Sequence, residues 1–206
     1  MDKTERCLAF FPGSPFARMA RVLVREWNLP VQEIEHSFPP PPELFEITPL
    51  GQVPVLLIEG EAVFPTILVL ERLWAMAGNP QDVYRPEHDR QLLLTILQAG
   101  DALVAALYQG WSGLRMVGPN HIGYDPAERH LTRFRQSLTW FESRVPAYAN
   151  QDEVALPEVA LACLLLWSNA RGGPNWEKHI HLVQMVQRME KRPSFIATIP
   201  PTWRPD

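Results

Sequence analysis

The sequence predicts a small α/β domain followed by an all-α domain, on three observations. Short apolar runs bounded by turn residues, the mark of strands, are confined to the first 64 residues. Apolar residues spaced three and four apart, the mark of packed helices, fill the chain from Glu87 onward. Between them lies Gly78-Asn79-Pro80 and a polar run to Glu87, which reads as a linker. The expected organisation is therefore residues 1–78, a linker at 79–86, and residues 87–206.

Cys7–Phe11 (CLAFF) is the first strand candidate, broken by Pro12-Gly13. Ser14-Pro15 is a strong helix start, with serine as N-cap and proline at N1. In the helix that follows, Phe16, Met19, Ala20, Leu23 and Trp27 recur at helical spacing, and Arg18, Arg21 and Arg25 line another face. Asn28-Leu29-Pro30 ends it, and Val31–Ser37 reads as a strand of irregular pattern. Phe38–Pro42 (FPPPP) is a stiff extended segment, read as a rigid loop leading to a helical turn at Glu43–Ile47; a polyproline ligand for another domain is the other reading.

Val55–Ile58 and Ala62–Phe64 are separated by little but Glu59-Gly60-Glu61, which makes them a β-hairpin. Pro54 opens its first strand, where a missing N–H does least harm. Pro65-Thr66 starts a helix running to Ala77, apolar nearly all round and so in need of cover on more than one side. Residues 6–78 thus read βαβ-α-ββ-α, the thioredoxin-like layout, with one parallel crossover and a closing antiparallel hairpin.

Beyond Glu87, Leu92, Ile96, Ala99, Leu103 and Leu107 stripe one long helix, and Leu131, Phe134, Leu138, Phe141 and Val145 a second. Val159–Trp167 is uniformly apolar and reads as a central helix. Leu182, Val183, Val186 and Met189 stripe another, and Arg192-Pro193-Ser194-Phe195 starts a last short turn.

Composition excludes some function classes. A net charge of −4 gives no reason to expect nucleic acid or an anionic membrane surface as partner. The N-terminus lacks the long apolar stretch of a secretion signal, and Val159–Trp167 is too short to span a bilayer, which takes ~20 residues. Cys7 and Cys163 sit in unrelated apolar contexts and read as buried thiols in a reducing cytoplasm. The six histidines show no ligand spacing, so no metal is expected.

Ser14-Pro15-Phe16-Ala17-Arg18, Thr48-Pro49-Leu50-Gly51-Gln52-Val53-Pro54, the segment ALPEVALA at 155–162, and Arg192-Pro193-Ser194-Phe195 together resemble the glutathione S-transferase superfamily, in the tone of its bacterial members. The resemblance spans nearly the whole chain and implies glutathione as co-substrate. Ser14, near the start of the first helix, would donate its hydroxyl to the glutathione sulfur; its other reading is a helix cap alone. Phe16 falls inside the same motif and is grouped with the cofactor residues. Val53 would pair its backbone with the cysteinyl part across a cis bond to Pro54. Gln52 would reach the glycyl carboxylate, or be a solvated turn residue. Thr66 would offer a hydroxyl and a helix-start N–H to the γ-glutamyl carboxylate.

The sequence departs from the family at Pro65, where an acidic residue is usual, and at Ala155, where a capping Ser or Thr is usual. Glu158 remains at the acidic place, so half of a capping box survives. Tyr108, Trp111, Arg115 and Met116 lie where the family builds its hydrophobic substrate site, with Gly110 and Gly113 loosening the helix end. The resemblance implies a cytoplasmic homodimer that transfers glutathione to a small hydrophobic electrophile. Another glutathione-dependent enzyme (isomerase, ether-cleaving enzyme or peroxidase) and a non-catalytic member that binds ligands or proteins are the alternatives.

Overall fold

The computed structural model describes residues 6–113, 125–149 and 153–199. The N-terminal part runs β1 (Arg6–Phe10), α1 (Pro15–Glu26), β2 (Gln32–Glu35), α2 (Pro42–Ile47), β3 (Val55–Ile58), β4 (Glu61–Val63) and α3 (Thr66–Met76). The rest is helical: α4 (Pro86–Trp111), α5 (Pro126–Glu142), a 3-10 turn at Val145–Tyr148, α6 (Leu156–Ala170), α7 (Ile180–Glu190) and α8 (Pro193–Ile196). The expected α/β part followed by helices is what the chain forms.

The four strands lie in the order β2-β1-β3-β4. β1 pairs parallel with β2 through the α1 crossover and antiparallel with β3, which pairs antiparallel with β4. The hairpin turn is Glu59-Gly60, with φ of +53° and +86°, so both central residues are left-handed as a two-residue turn between twisted strands requires. β1 is buried on both faces: Leu8 and Leu56 join the main core, while Ala9 and Val55 join a smaller cluster with Phe10, Leu44 and Val53. The irregular Val31–Ser37 shortens to β2, whose place at a sheet edge sets its pattern more than its own periodicity does.

The main core does not stop at residue 78. It runs from Leu8, Met19 and Leu23 through Leu70, Leu73, Ile96 and Leu103 to Leu161, Leu164 and Phe195. The supposed linker is pinned, not slack. Val83 and Tyr84 are buried, the Trp74 indole N–H donates to Pro80 O at 3.1 Å, and Leu156 N–H donates to Val83 O at 2.9 Å.

α4 is long and apolar enough to cross a membrane by length and composition, yet half of its most apolar window is buried against the rest of the chain. α6 is the buried central helix, with Val159–Leu165 and Trp167 all inside. The stripe ending at Val145 does not belong to one helix: α5 stops at Glu142, and Val145 is buried from the 3-10 turn instead. Pro146 explains the break, since it has no N–H to continue an α-helical ladder.

Candidate functional site

Where β1 gives way to α1, the chain turns through Pro12-Gly13 and is tied from both sides. Ser14 N–H donates to Phe11 O at 3.0 Å, and the Trp167 indole N–H, reaching over from α6, donates to Gly13 O at 2.8 Å. Ser14 caps α1, its Oγ accepting from Ala17 N–H at 3.2 Å, with Pro15 at N1. As an acceptor in the cap, the hydroxyl still has its own hydrogen to donate elsewhere. It also stands at the positive end of a twelve-residue helix.

Phe16 and Arg18, farther along α1, are engaged with the helical part of the chain. The Phe16 ring packs on α4, 3.0 Å from where a Cβ on Gly100 would stand. Arg18 is buried and donates to Phe195 O at 3.1 Å and Thr198 Oγ1 at 3.4 Å, tying α1 to the C-terminal turns. Burial pulls the Arg18 guanidinium below its usual range.

The run from Thr48 to Pro54 is a turn followed by the start of β3. Gly51 N–H donates to Thr48 O at 3.2 Å, and Gly51 has φ of +57°. A Cβ there would lie 2.3 Å from the Phe45 ring, so glycine serves both conformation and space. Gln52 is exposed, Val53 is buried, and the Val53–Pro54 bond is cis, as are Phe38–Pro39 and Phe64–Pro65. Pro65 is the exposed N-cap residue of α3, one place earlier than a proline at N1, and Thr66 takes N1, where backbone N–H groups have no acceptor within the helix.

A chain of aromatic rings begins at Phe11, in the turn that leads to Ser14. Phe11 meets Phe38 edge-on at 5.8 Å between centroids, Phe38 meets Tyr108 at 6.0 Å, and Tyr108 meets Trp111 at 5.0 Å. Phe38 is 62% exposed and Tyr108 42%, while Phe11 is buried, so the chain of rings runs from the core out to the surface. α4 ends at Trp111 and Gly113 follows at φ of +66°, which stops the helix beside these rings.

Arg171, the C-cap residue of α6, is buried here, with its Nη2 3.1 Å from where a Cβ on Gly13 would stand. Burial pushes the Tyr108 phenol up, and the Arg171 charge partly offsets that. Tyr108 and Trp111 are thus brought together, and Arg115 and Met116 lie outside the described residues. Phe11, Phe38 and Arg171 went unnoticed in the sequence. Phe38 was absorbed into the proline run, Phe11 into a strand end, and nothing around Arg171-Gly172-Gly173 marks a site.

Residues 13–73 match the family model for the glutathione S-transferase N-terminal domain. YibF of Escherichia coli K12, described as an uncharacterized GST-like protein, is 28% identical over 194 residues, covering 91% of this chain and 95% of that protein. A glutathione S-transferase from Methylobacillus flagellatus, solved with glutathione bound, superposes with a TM-score of 0.81 at 22% identity, over 96% of this chain and all of that one (100%). A glutathione transferase family member from Pseudomonas fluorescens Pf-5, also with bound glutathione, gives 0.77 at 24% identity, over 96% of this chain and 100% of that one. The resemblance read from the motifs therefore holds: the chain has the two-part glutathione S-transferase fold, thioredoxin-like and then helical.

Proposed function

We propose that this protein is a glutathione transferase that joins the glutathione sulfur to a small hydrophobic electrophile, with Ser14 stabilising the thiolate. The observation that carries this reading is the state of Ser14. Its oxygen accepts the Ala17 N–H while its hydrogen remains available, so helix capping and thiolate binding are compatible. A free thiol has a pKa of ~8.5 and is mostly protonated at neutral pH. A hydrogen bond to the thiolate, at a positive helix end, lowers that value and supplies the nucleophile. In a substitution the sulfur forms a C–S bond, the leaving group departs with its electron pair, and the thiol proton passes to solvent.

The rest of the tripeptide fits the same wall. Val53, on the edge before β3, would pair with its backbone, Gln52 would meet the glycyl carboxylate, and Thr66 at the start of α3 would meet the γ-glutamyl carboxylate. Phe16 would contribute from the first turn of α1 through its backbone, since its ring packs on α4. In this reading residues 1–78 hold glutathione, 79–86 connect, and 87–206 carry the acceptor site with Tyr108 and Trp111. The solved neighbours with bound glutathione support it.

The protein works as a cytoplasmic homodimer in this account, since Leu68 on α3 and Leu94 on α4 are exposed apolar residues on helices expected to need cover. Sedimentation as a stable monomer at micromolar concentration would remove the dimer. The function itself is tested by calorimetric titration with glutathione and by thiolate absorbance of the bound sulfur against pH. Binding with a sulfur pKa well below ~8.5 is expected; no binding would defeat the reading.

A further inference from the structure

We propose that two copies of this chain associate with α3 of each against α4 of the other, and that the charged pair across the contact is Arg72 of one subunit with Asp101 of the partner subunit. The pair rests on the homodimer named above and goes beyond it, in saying which faces meet and what fixes their register. It does not depend on the reaction assigned to Ser14.

The first ground is the pattern on α4. Between residues 91 and 111 Asp101 is the one charged side chain. Leu94, Gln98, Asp101, Ala105 and Tyr108 are all exposed and recur at steps of three and four residues, so they form one stripe along the helix. Among the described residues the Asp101 carboxylate has no hydrogen bond and no ion pair. Crowding by its neighbours pushes this carboxyl above its usual range, and no cation offsets that.

The second is the pattern on α3. Leu68, Arg72 and Ala75 are exposed and share a face. The other charge of this helix, Glu71, is already engaged: it accepts from the Tyr84 hydroxyl at 3.0 Å and pairs with Arg90 at 3.1 Å. The Arg72 guanidinium has no such partner among the described residues. Arg90 lies one turn before Leu94 on α4, and Glu71 lies next to Arg72, so their ion pair sets the two stripes side by side on one subunit.

The third is the sign of the charges. A two-fold that laid α4 on α4, or α3 on α3, would bury a charge with no opposite charge in the contact, which is costly. Laying α3 of one subunit on α4 of the other brings an arginine to an acid, and the symmetry makes the pair twice. The same contact covers Leu68 and Leu94, the exposed apolar residues of these helices. Apolar area then supplies the attraction, and the pair selects which faces meet.

The test uses two variants made as separate chains, Arg72→Glu and Asp101→Lys, with dimer dissociation measured by sedimentation. Alone, each sets like charges together in both halves of the dimer and should raise the dissociation constant on the order of a hundredfold. Mixed in equal amounts, the two should form dimers of near wild-type strength, because position 72 of each chain then meets an opposite charge at position 101 of the other. Unchanged dissociation constants would overturn the pair while leaving the homodimer. So would two weakened chains that fail to recover on mixing.

Asp101→Asn and Arg72→Gln, which keep the shape of each side chain better, cover the case in which a reversal fails to fold. Each should weaken the dimer about tenfold, and the double variant no more than either; losses that add would overturn the pair. A wild-type chain that sediments as a monomer would leave both faces to a different protein, and would remove the pair and the homodimer together. Titration with glutathione reads the transferase proposal separately.

Discussion

The two walls of the proposed site are made from different material. In the proposed transferase reading, the thiol side uses hydroxyls and backbone atoms at the ends of elements: Ser14 before α1, Val53 before β3, Thr66 at the start of α3. In the same reading the acceptor side uses side chains from three separate stretches: Phe11, Phe38, and Tyr108 with Trp111. A wall of element ends is specified by turn and cap residues and can persist while side chains around it change. A wall of converging side chains depends on how whole helices pack, so its chemistry can be altered by single substitutions that leave the fold alone. The first is suited to a constant ligand and the second to a variable one.

The largest expected effect separates the walls directly. Ser14→Ala should lower kcat/KM by roughly thirty- to a hundredfold for every electrophile alike, as loss of a hydrogen bond to a charged group predicts. The same change removes the cap and should cost about 1 kcal/mol of stability in urea. Tyr108→Ala should instead reorder electrophiles with little change in glutathione affinity. A Ser14→Ala protein with unchanged rate and unchanged sulfur pKa would leave Ser14 as a helix cap only.

α6 packs on α1 and α4, and its first turn holds a buried carboxyl group. Glu158 is 2% exposed, accepts from Ala155 N–H at 3.4 Å, and pairs with Arg188 of α7. Ala155 has no side-chain oxygen, so only this half of a capping box exists. Burial pushes the Glu158 carboxyl up to about 7 in spite of Arg188 and the Ala155 N–H. Its folded value thus exceeds the ordinary 4.5, the native state holds the extra proton, and this group's contribution falls as pH rises from about 4.5 to about 7. Arg188→Ala should cost about 2 kcal/mol at pH 8, less than for a fully buried pair because Arg188 is partly exposed. The cost should shrink at pH 5, where Glu158 is protonated; equal losses at both pH values would contradict the assignment.

Smaller effects sharpen the picture of the thiol wall. Gly51→Ala should destabilise by about 1 kcal/mol, since alanine is strained at a φ of +57° and the Phe45 ring must also move aside. Urea unfolding checks it, and an unaltered midpoint would mean the turn can relax. Pro65→Glu should tighten glutathione binding about fivefold, because it adds a carboxylate for the γ-glutamyl ammonium at an exposed position. No gain in a folded variant would show that another group already meets the ammonium.

These walls were not equally legible in the chain. Ser14-Pro15 announced a helix start, Glu59-Gly60 a hairpin, and Gly51-Gln52-Val53-Pro54 the approach to a strand, and each took the expected form. Such features depend on the backbone preferences of one or two neighbouring residues, so they can be read locally. The helical stripes were legible for the same reason, except where Pro146 broke the ladder and Val145 was buried from a 3-10 turn. What was not legible depends on distance. Trp167 bonds to Gly13 across 154 residues, and the same packing of α6 on α1 brings Arg171 beside Gly13. The proline run looked like a spacer, yet it places Phe38 between Phe11 and Tyr108. Local preferences determined where each element begins and ends; only the burial of a shared core decided which ends face each other, because no short stretch of sequence encodes the partner that will cover it.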